Sequence, residues 1–290
     1  MSEKEGKVIK DIGVMDGPVL VFGGPYSNLE ATRALIEVAA EHHIPRDRII
    51  CTGDVVAYGA APQETVELIA TSGIHVIQGN CEVSLSAGLE DCGCGFEEGS
   101  TCDQLAAHWY AYANANIGGD SRKWMAKLPS RITFEIAGRR LAVVHGAPSL
   151  VNEFIFAATP DDIKSREIDL TGCDGVICGH TGIPFTQIVE GRLWHNAGVI
   201  GMPANDGTMR TWYSILWPQE DGVRIEHWAL SYQAQVAAAA MRAHGLPVEY
   251  SDTIMSGLWD NCEILPASDI ELRGKPLSPK PVQWPVTASL

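Results

Sequence analysis

The chain has 290 residues, 46% of them hydrophobic and 20% charged, which is enough to bury the core of one α/β domain with appendages without help from disulfides or a structural metal. Its formal net charge of -15 argues against an electrostatic binder of nucleic-acid duplexes, whose footprint is basic. Small phosphorylated substrates stay open, because a bound metal reverses the local field.

Residues Met1 to Lys7 lack the apolar core of a signal peptide, and no apolar run approaches bilayer-spanning length. The expected location is the cytoplasm, away from membranes, with the eight cysteines as thiols or metal ligands rather than disulfides. Residues 1–17 read as an extension in which Lys7 to Val14 adds an edge strand. Val19 to Phe22 is the first strand of the main domain, taken as 18–245. A helix with an apolar face of Leu29, Leu35, Ile36, Val38 and Ala39 follows and ends at His42, His43 and Pro45. Arg48 to Cys51 is the next strand, Pro62 to Ala70 a helix with proline near its first turn, and Ile74 to Ile77 a third strand. This strand–helix alternation is the signature of a mainly parallel sheet.

Residues 82–129 interrupt it with a largely helical insertion carrying Cys92, Cys94 and Cys102 and a helix around Leu105 to Ile117. Arg131 to Ile136 and Arg140 to Val144 form a hairpin over Ala137-Gly138. A buried strand, Val176 to Cys178, leads into Gly179-His180. Arg192 to His195, Thr211 to Trp217 and Val223 to Leu230 read as antiparallel strands closing a second sheet layer, and Tyr232 to His244 as a helix. Residues 246–290 form a C-terminal extension, proline-rich from Pro266 and expected to lie over the surface.

Four strand ends stop on a side chain able to bind a metal: Asp54, Asn80, His145 and His180. Asp and Asn are favoured in turns anyway, so one such end carries no information. Four in sequence, two of them histidine, make metal binding the better reading. A carboxylate, an amide oxygen and two imidazoles suit manganese, iron, zinc, cobalt or nickel.

The set resembles the calcineurin-like metallophosphoesterases, particularly their compact bacterial and archaeal phosphodiesterase branch, from about Val19 to Gly207. The matching pieces are Asn28-Leu-Glu-Ala31, Gly53-Asp54-Val-Val-Ala-Tyr58-Gly59, Gly79-Asn80-Cys81-Glu82, Val144-His145-Gly146, Gly179-His180-Thr181 and Asn196-Ala-Gly-Val-Ile-Gly201-Met-Pro203. The resemblance implies an α/β/β/α sandwich of two mixed sheets and a two-metal site bridged by Asp54. The second metal would take Asn80, His145 and His180, with Asn80 and His145 also orienting the phosphoryl oxygens. Three of the first metal's four ligands are missing, since the opening Asp-x-His aligns with Gly24-Pro25-Tyr26 and the closing histidine is Gly182; the family's usual arginine, a phosphate contact, is Ala204. Tyr26 could bind ferric iron as phenolate. Cys81 replaces a histidine, and His195 is a candidate to protonate the leaving group, or else a packed strand histidine. Cys92 and Cys94, with Cys102 and Cys81, could lend thiolates to the broken half, or be reduced cysteines of a glycine-rich loop.

The implied activity is metal-dependent hydrolysis of a small phosphodiester or nucleotide-like substrate by a hydroxide held on the metal, with one divalent ion expected and a second open. The alternatives are a catalytically degenerate relative that binds a metal or nucleotide, or serves as a scaffold, and an iron enzyme of other chemistry using Tyr26 and the cysteines. A homo-oligomer stays open.

Overall fold

β2 (Val19–Phe22) is buried along its whole length, and its side chains alternate between two cores: Val19 and Val21 face one, Leu20 and Phe22 the other. β3 (Ile49–Cys51) runs parallel to it and repeats the division, with Ile50 in the first core and Ile49 and Cys51 in the second. β7 (Gly175–Cys178) sends Ile177 into that same first core and Val176 and Cys178 into a third. The shared core is the seam between two sheets in this computed structural model, which describes residues 8–285.

One six-stranded sheet has the order β1 (Ile9–Met15), β5 (Arg131–Ile136), β6 (Arg139–Val143), β7, β9 (Arg192–Asn196), β8 (Phe185–Val189). The other has β12 (Val282–Pro285), β11 (Gly222–Leu230), β10 (Thr211–Gln219), β2, β3, β4 (His75–Val76). Helices α1 (Leu29–Glu41), α2 (Pro62–Thr71), α4 (Thr101–Asn116), α7 (Ala234–Ala243) and α8 (Val248–Ser256) cover the outer face of the second sheet through Leu35, Ile69, Trp109, Met241 and Ile254. α6 (Asp161–Asp169) packs Ile168 on the outer core of the first. The result is the expected α/β/β/α sandwich of two mixed sheets. The insertion holds α3 (Asn80–Ala87), α4 and α5 (Gly119–Met125), and α9 (Ala267–Ile270) follows in the extension.

The parallel strands of both sheets end at one edge of the sandwich. There Gly23, after β2, pairs with Val199, after β9, with Gly23 N–H donating to Gly198 O at 2.9 Å and Ile200 N–H to Gly23 O at 3.0 Å. This bridge brings the loops of the two sheets together.

Two expectations are corrected. β9 pairs parallel with β7 and antiparallel with β8, so it belongs to the first sheet rather than the layer closed by β10 and β11. The proline-rich tail does not simply lie over the surface: β12 extends the second sheet beside β11, and its Trp284 is fully buried in the inter-sheet core with Arg139 stacked 4.9 Å from the ring. β1 is an edge strand as expected, parallel to β5 from Ile9, whereas residues 1–7 and 286–290 of the two extensions lie outside the described residues. Trp284→Ala should cost about 3–5 kcal/mol of stability in denaturant unfolding, as for other large core truncations; a loss below 1 kcal/mol would mean that β12 is not anchored.

Candidate metal centre

β3 ends in Thr52-Gly53-Asp54, and Gly53 takes a φ of +93°. A Cβ there would stand 2.7 Å from Gly79 N and 3.0 Å from His145 Nδ1, so only glycine lets three loops converge. Asp54 (φ 54°) and His180 (φ 62°) both adopt the left-handed conformation without being glycine. Such residues cost on the order of 1–3 kcal/mol each and persist where their surroundings over-determine them, commonly at functional sites.

Asp54, His145 and His180 come together, with one ligand-capable atom of each within 4.8 Å of the others. His145 Nε2 lies 3.1 Å from Asp54 Oδ2 and 3.2 Å from His180 Nδ1. His145 Nδ1 donates to the Thr52 carbonyl at 2.6 Å, which directs the Nε2 lone pair into the group. Asn80 spends its amide nitrogen on Cys92 O (3.0 Å) and Cys94 Sγ (3.4 Å), leaving Oδ1 buried without a partner, as is His180 Nε2. Burial would raise the Asp54 carboxyl, but His145 and His180 outweigh it and hold it below the ordinary value. Burial likewise opposes charging of His145, and Asp54 with the Thr52 carbonyl overcomes it, so that imidazole lies above its ordinary value. His180 is pushed down to about 3, by burial first and then by His145.

Glu82 is a functional residue that the sequence reading passed over. Its buried carboxylate accepts N–H bonds from Asp54 (2.8 Å), Val55 (2.8 Å) and Gly79 (2.9 Å), tying the Asp54 loop to the start of α3. Burial, then Asp54, raises its carboxyl to about 7. The available signal was its place three residues after Gly79 at a helix start, the acidic position of a capping box.

The other half-site carries no comparable donors. Tyr26 is buried and edge-on to Tyr58, ring centroids 4.9 Å apart, and burial followed by Asp54 keeps its phenol well above the ordinary value. At Gly182 an added Cβ would be 3.7 Å from Trp259 Cζ2. Trp259, from the C-terminal extension, is fixed by its Nε1 donating to Pro203 O at 2.8 Å. Ala204 is buried.

The candidates in the broken half do not gather as ligands. Cys92 and Cys94 form a disulfide across Gly93, so neither offers a thiolate, and the expectation of thiols or metal ligands rather than disulfides fails at this pair. The other six are free. Cys81 is buried with its N–H donating to Asp54 Oδ1 (3.2 Å), and burial, then Asp54 and Glu82, drives its thiol up, away from thiolate. Cys102 lines the cavity, but its thiol donates to Asn261 Oδ1 (3.2 Å). His195 does not reach the cavity. It is fully buried between the sheets, with Nδ1 bonded to the Thr186 hydroxyl (2.8 Å) and Nε2 to the Ser214 hydroxyl (2.7 Å), so it is the packed strand histidine and not a proton donor to a leaving group.

The sequence over residues 26–216 matches the calcineurin-like phosphoesterase superfamily domain, and the chain belongs to that superfamily of metal-dependent phosphoesterases. It is similar to an uncharacterised protein of Methanocaldococcus jannaschii, 26% identical over 256 residues, which span 82% of this chain and 98% of that protein. The fold resembles a metallophosphoesterase from Sphaerobacter thermophilus, with a TM-score of 0.64 and 22% identity over 83% of this chain and 99% of that one. It also resembles a hypothetical protein from Pyrococcus horikoshii OT3, with a TM-score of 0.67 and 16% identity over the same shares.

The residues present fit one divalent ion: three converging donors in a neutral-to-anionic set, with the unpartnered Asn80 Oδ1 on the first residue of α3. Glu82→Gln should turn an amide NH2 toward buried N–H donors and cost about 1–3 kcal/mol in chemical unfolding; an unchanged midpoint would remove Glu82 from this role. His195 is held well below its ordinary value by burial and then by His227, and burial brings His227 to about 4. Both stay neutral in the fold while the unfolded chain takes up protons near pH 6.5, so this stability is present above pH 6.5 and is lost as the pH falls toward 4. His195→Gln should flatten that loss by up to about 1.4 kcal/mol per pH unit, read as unfolding free energy against pH.

Proposed function

We propose that the chain is a phosphoesterase that binds one divalent ion through Asp54, Asn80, His145 and His180 and hydrolyses a small phosphodiester or nucleotide-like substrate. The observation carrying this reading is the meeting of Asp54 Oδ2, His145 Nε2 and His180 Nδ1, the first two on buried residues and the third on a half-buried one, with no Lys or Arg beside them in the cavity lining. An ion of the manganese, iron, zinc, cobalt or nickel type would polarise a phosphoryl oxygen there and make water a better nucleophile near neutral pH.

The chain's own contribution is orientation and exclusion of water. The Thr52 carbonyl sets the His145 tautomer, Glu82 holds the Asp54 loop, and Cys92 and Cys94 turn the Asn80 amide so that its oxygen is the free end. With the Asn80 NH2 spent on Cys92 and Cys94 and the His145 Nδ1–H on Thr52, neither side chain keeps a donor for a phosphoryl oxygen, so the part of both is to hold the ion and not, as the resemblance implied, to orient the phosphoryl oxygens. Gly24 and Gly182 bring no side-chain donor, which supports a single ion. The same loss supports a second reading, a family member that binds the ion without turnover. The -15 charge favours a small substrate over a nucleic-acid duplex. Among the described residues, no helix is long and apolar enough to cross a membrane.

Elemental analysis of untreated protein should find one transition-metal ion per chain, and Asp54→Asn and His145→Gln should each weaken ion binding by more than roughly 100-fold, beyond what loss of a supporting group produces. Metal-loaded protein should hydrolyse bis-(p-nitrophenyl) phosphate. One tightly held ion with no hydrolysis of any diester would leave the second reading, and no ion after soaking would end both.

A further inference from the structure

We infer that the cleft beside Asp54 and His180 receives the organic half of the substrate as a flat, uncharged aromatic ring attached to a single phosphate. The inference rests on the phosphoester reading above and specifies what that site selects.

Six rings line the cleft: Tyr26, Tyr58, Phe96, Phe154, Tyr250 and Trp259. They come from the loops after β2 and β3, the insertion, the loop after β6 and the C-terminal extension, so five remote stretches of chain deliver the same kind of surface. They also hold one another in place. On one side Phe154 lies against the His180 imidazole, centroids 4.5 Å apart, and Phe96 stacks on Phe154 at 6.3 Å and 24°. On the other, Tyr58 meets Tyr26 at 4.9 Å and Tyr250 at 4.7 Å. Trp259 is locked by its bond to Pro203 O. A ligand entering this cleft meets ring faces and edges already fixed, which favours a planar partner over a flexible chain at little ordering cost.

The charges select in the same direction. The charged groups among the lining residues are Asp54 and Asp260, together with the titratable His180, and none is Lys or Arg. One divalent ion offsets Asp54 and one phosphoryl charge. A second phosphate, or an anionic group on the far side of the ring, would face Asp260 and aromatic walls with no cation to meet it. Polyphosphates and acidic organic groups are therefore disfavoured and a monophosphate ester of an uncharged ring is favoured.

The test is titration calorimetry of manganese-loaded protein with three non-hydrolysable probes: phenylphosphonate, methylphosphonate and 4-sulfophenylphosphonate. Phenylphosphonate should bind roughly tenfold tighter than methylphosphonate, the value of one buried, stacked ring, and the sulfonate should cancel that gain. Phe96→Leu and Trp259→Leu, which touch none of the proposed donors, should each shrink the phenyl preference while leaving methylphosphonate affinity and manganese content unchanged. Equal binding of phenyl and methyl probes, tighter binding of the sulfonated probe, or no phosphonate binding at all would overturn the inference. A ring preference in a protein that hydrolyses nothing would refute the hydrolase reading alone, and equal hydrolysis of dialkyl and diaryl phosphates would refute the ring preference alone.

Discussion

A carboxylate buried at the edge where the strand ends of two sheets meet, Asp54, is the constraint to which the surrounding architecture answers. Removing a carboxylate from water is costly unless it is hydrogen-bonded and paired. Here Cys81 N–H and the His145 imidazole do both, and Glu82 clamps the backbone that presents it. Cys81 and Glu82 stand together at the start of α3 and His145 follows β6, so keeping one charge inside the molecule obliges these two segments and the Asp54 loop to stand within hydrogen-bonding distance. Gly53 is the residue that permits the approach. The candidate ion seat and the junction of the sandwich are thus the same piece of structure.

The parts of this arrangement that were legible in the sequence are those encoded locally. Val19–Phe22, Ile49–Cys51 and Gly175–Cys178 are short apolar runs stopped by glycine, and a strand buried on both faces leaves that trace. The residues after each stop are readable because the turn is part of the same stretch. What failed was decided by partners far along the chain. β9 looks the same whether it joins β7 or β10, and only tertiary pairing assigns it. His195 then follows from parity: Trp194 faces the outer core, so its neighbour faces inward, where the Ser214 hydroxyl of the opposite sheet meets it. Trp284 was misplaced for a similar reason, since nothing adjacent to it in sequence announces the core of another segment.

The cysteine loop and the C-terminal extension show how the missing half of the site is replaced by packing. Where relatives' motifs would place a histidine there is Gly182, and the indole of Trp259 lies over it. Cys92 and Cys94, joined to each other, serve the amide of Asn80 through a carbonyl and a sulfur. The chemistry is concentrated on one side, and the space on the other side has become a wall.

That wall is written late in the chain. The four residues proposed to hold the ion all precede Thr181, while the part of the wall built by the extension begins at Tyr250, 70 positions after His180. At roughly 5–20 residues per second of synthesis, several seconds separate the two on the ribosome. Tyr250 and Trp259 therefore join the cleft only after the residues proposed to hold the ion have been made.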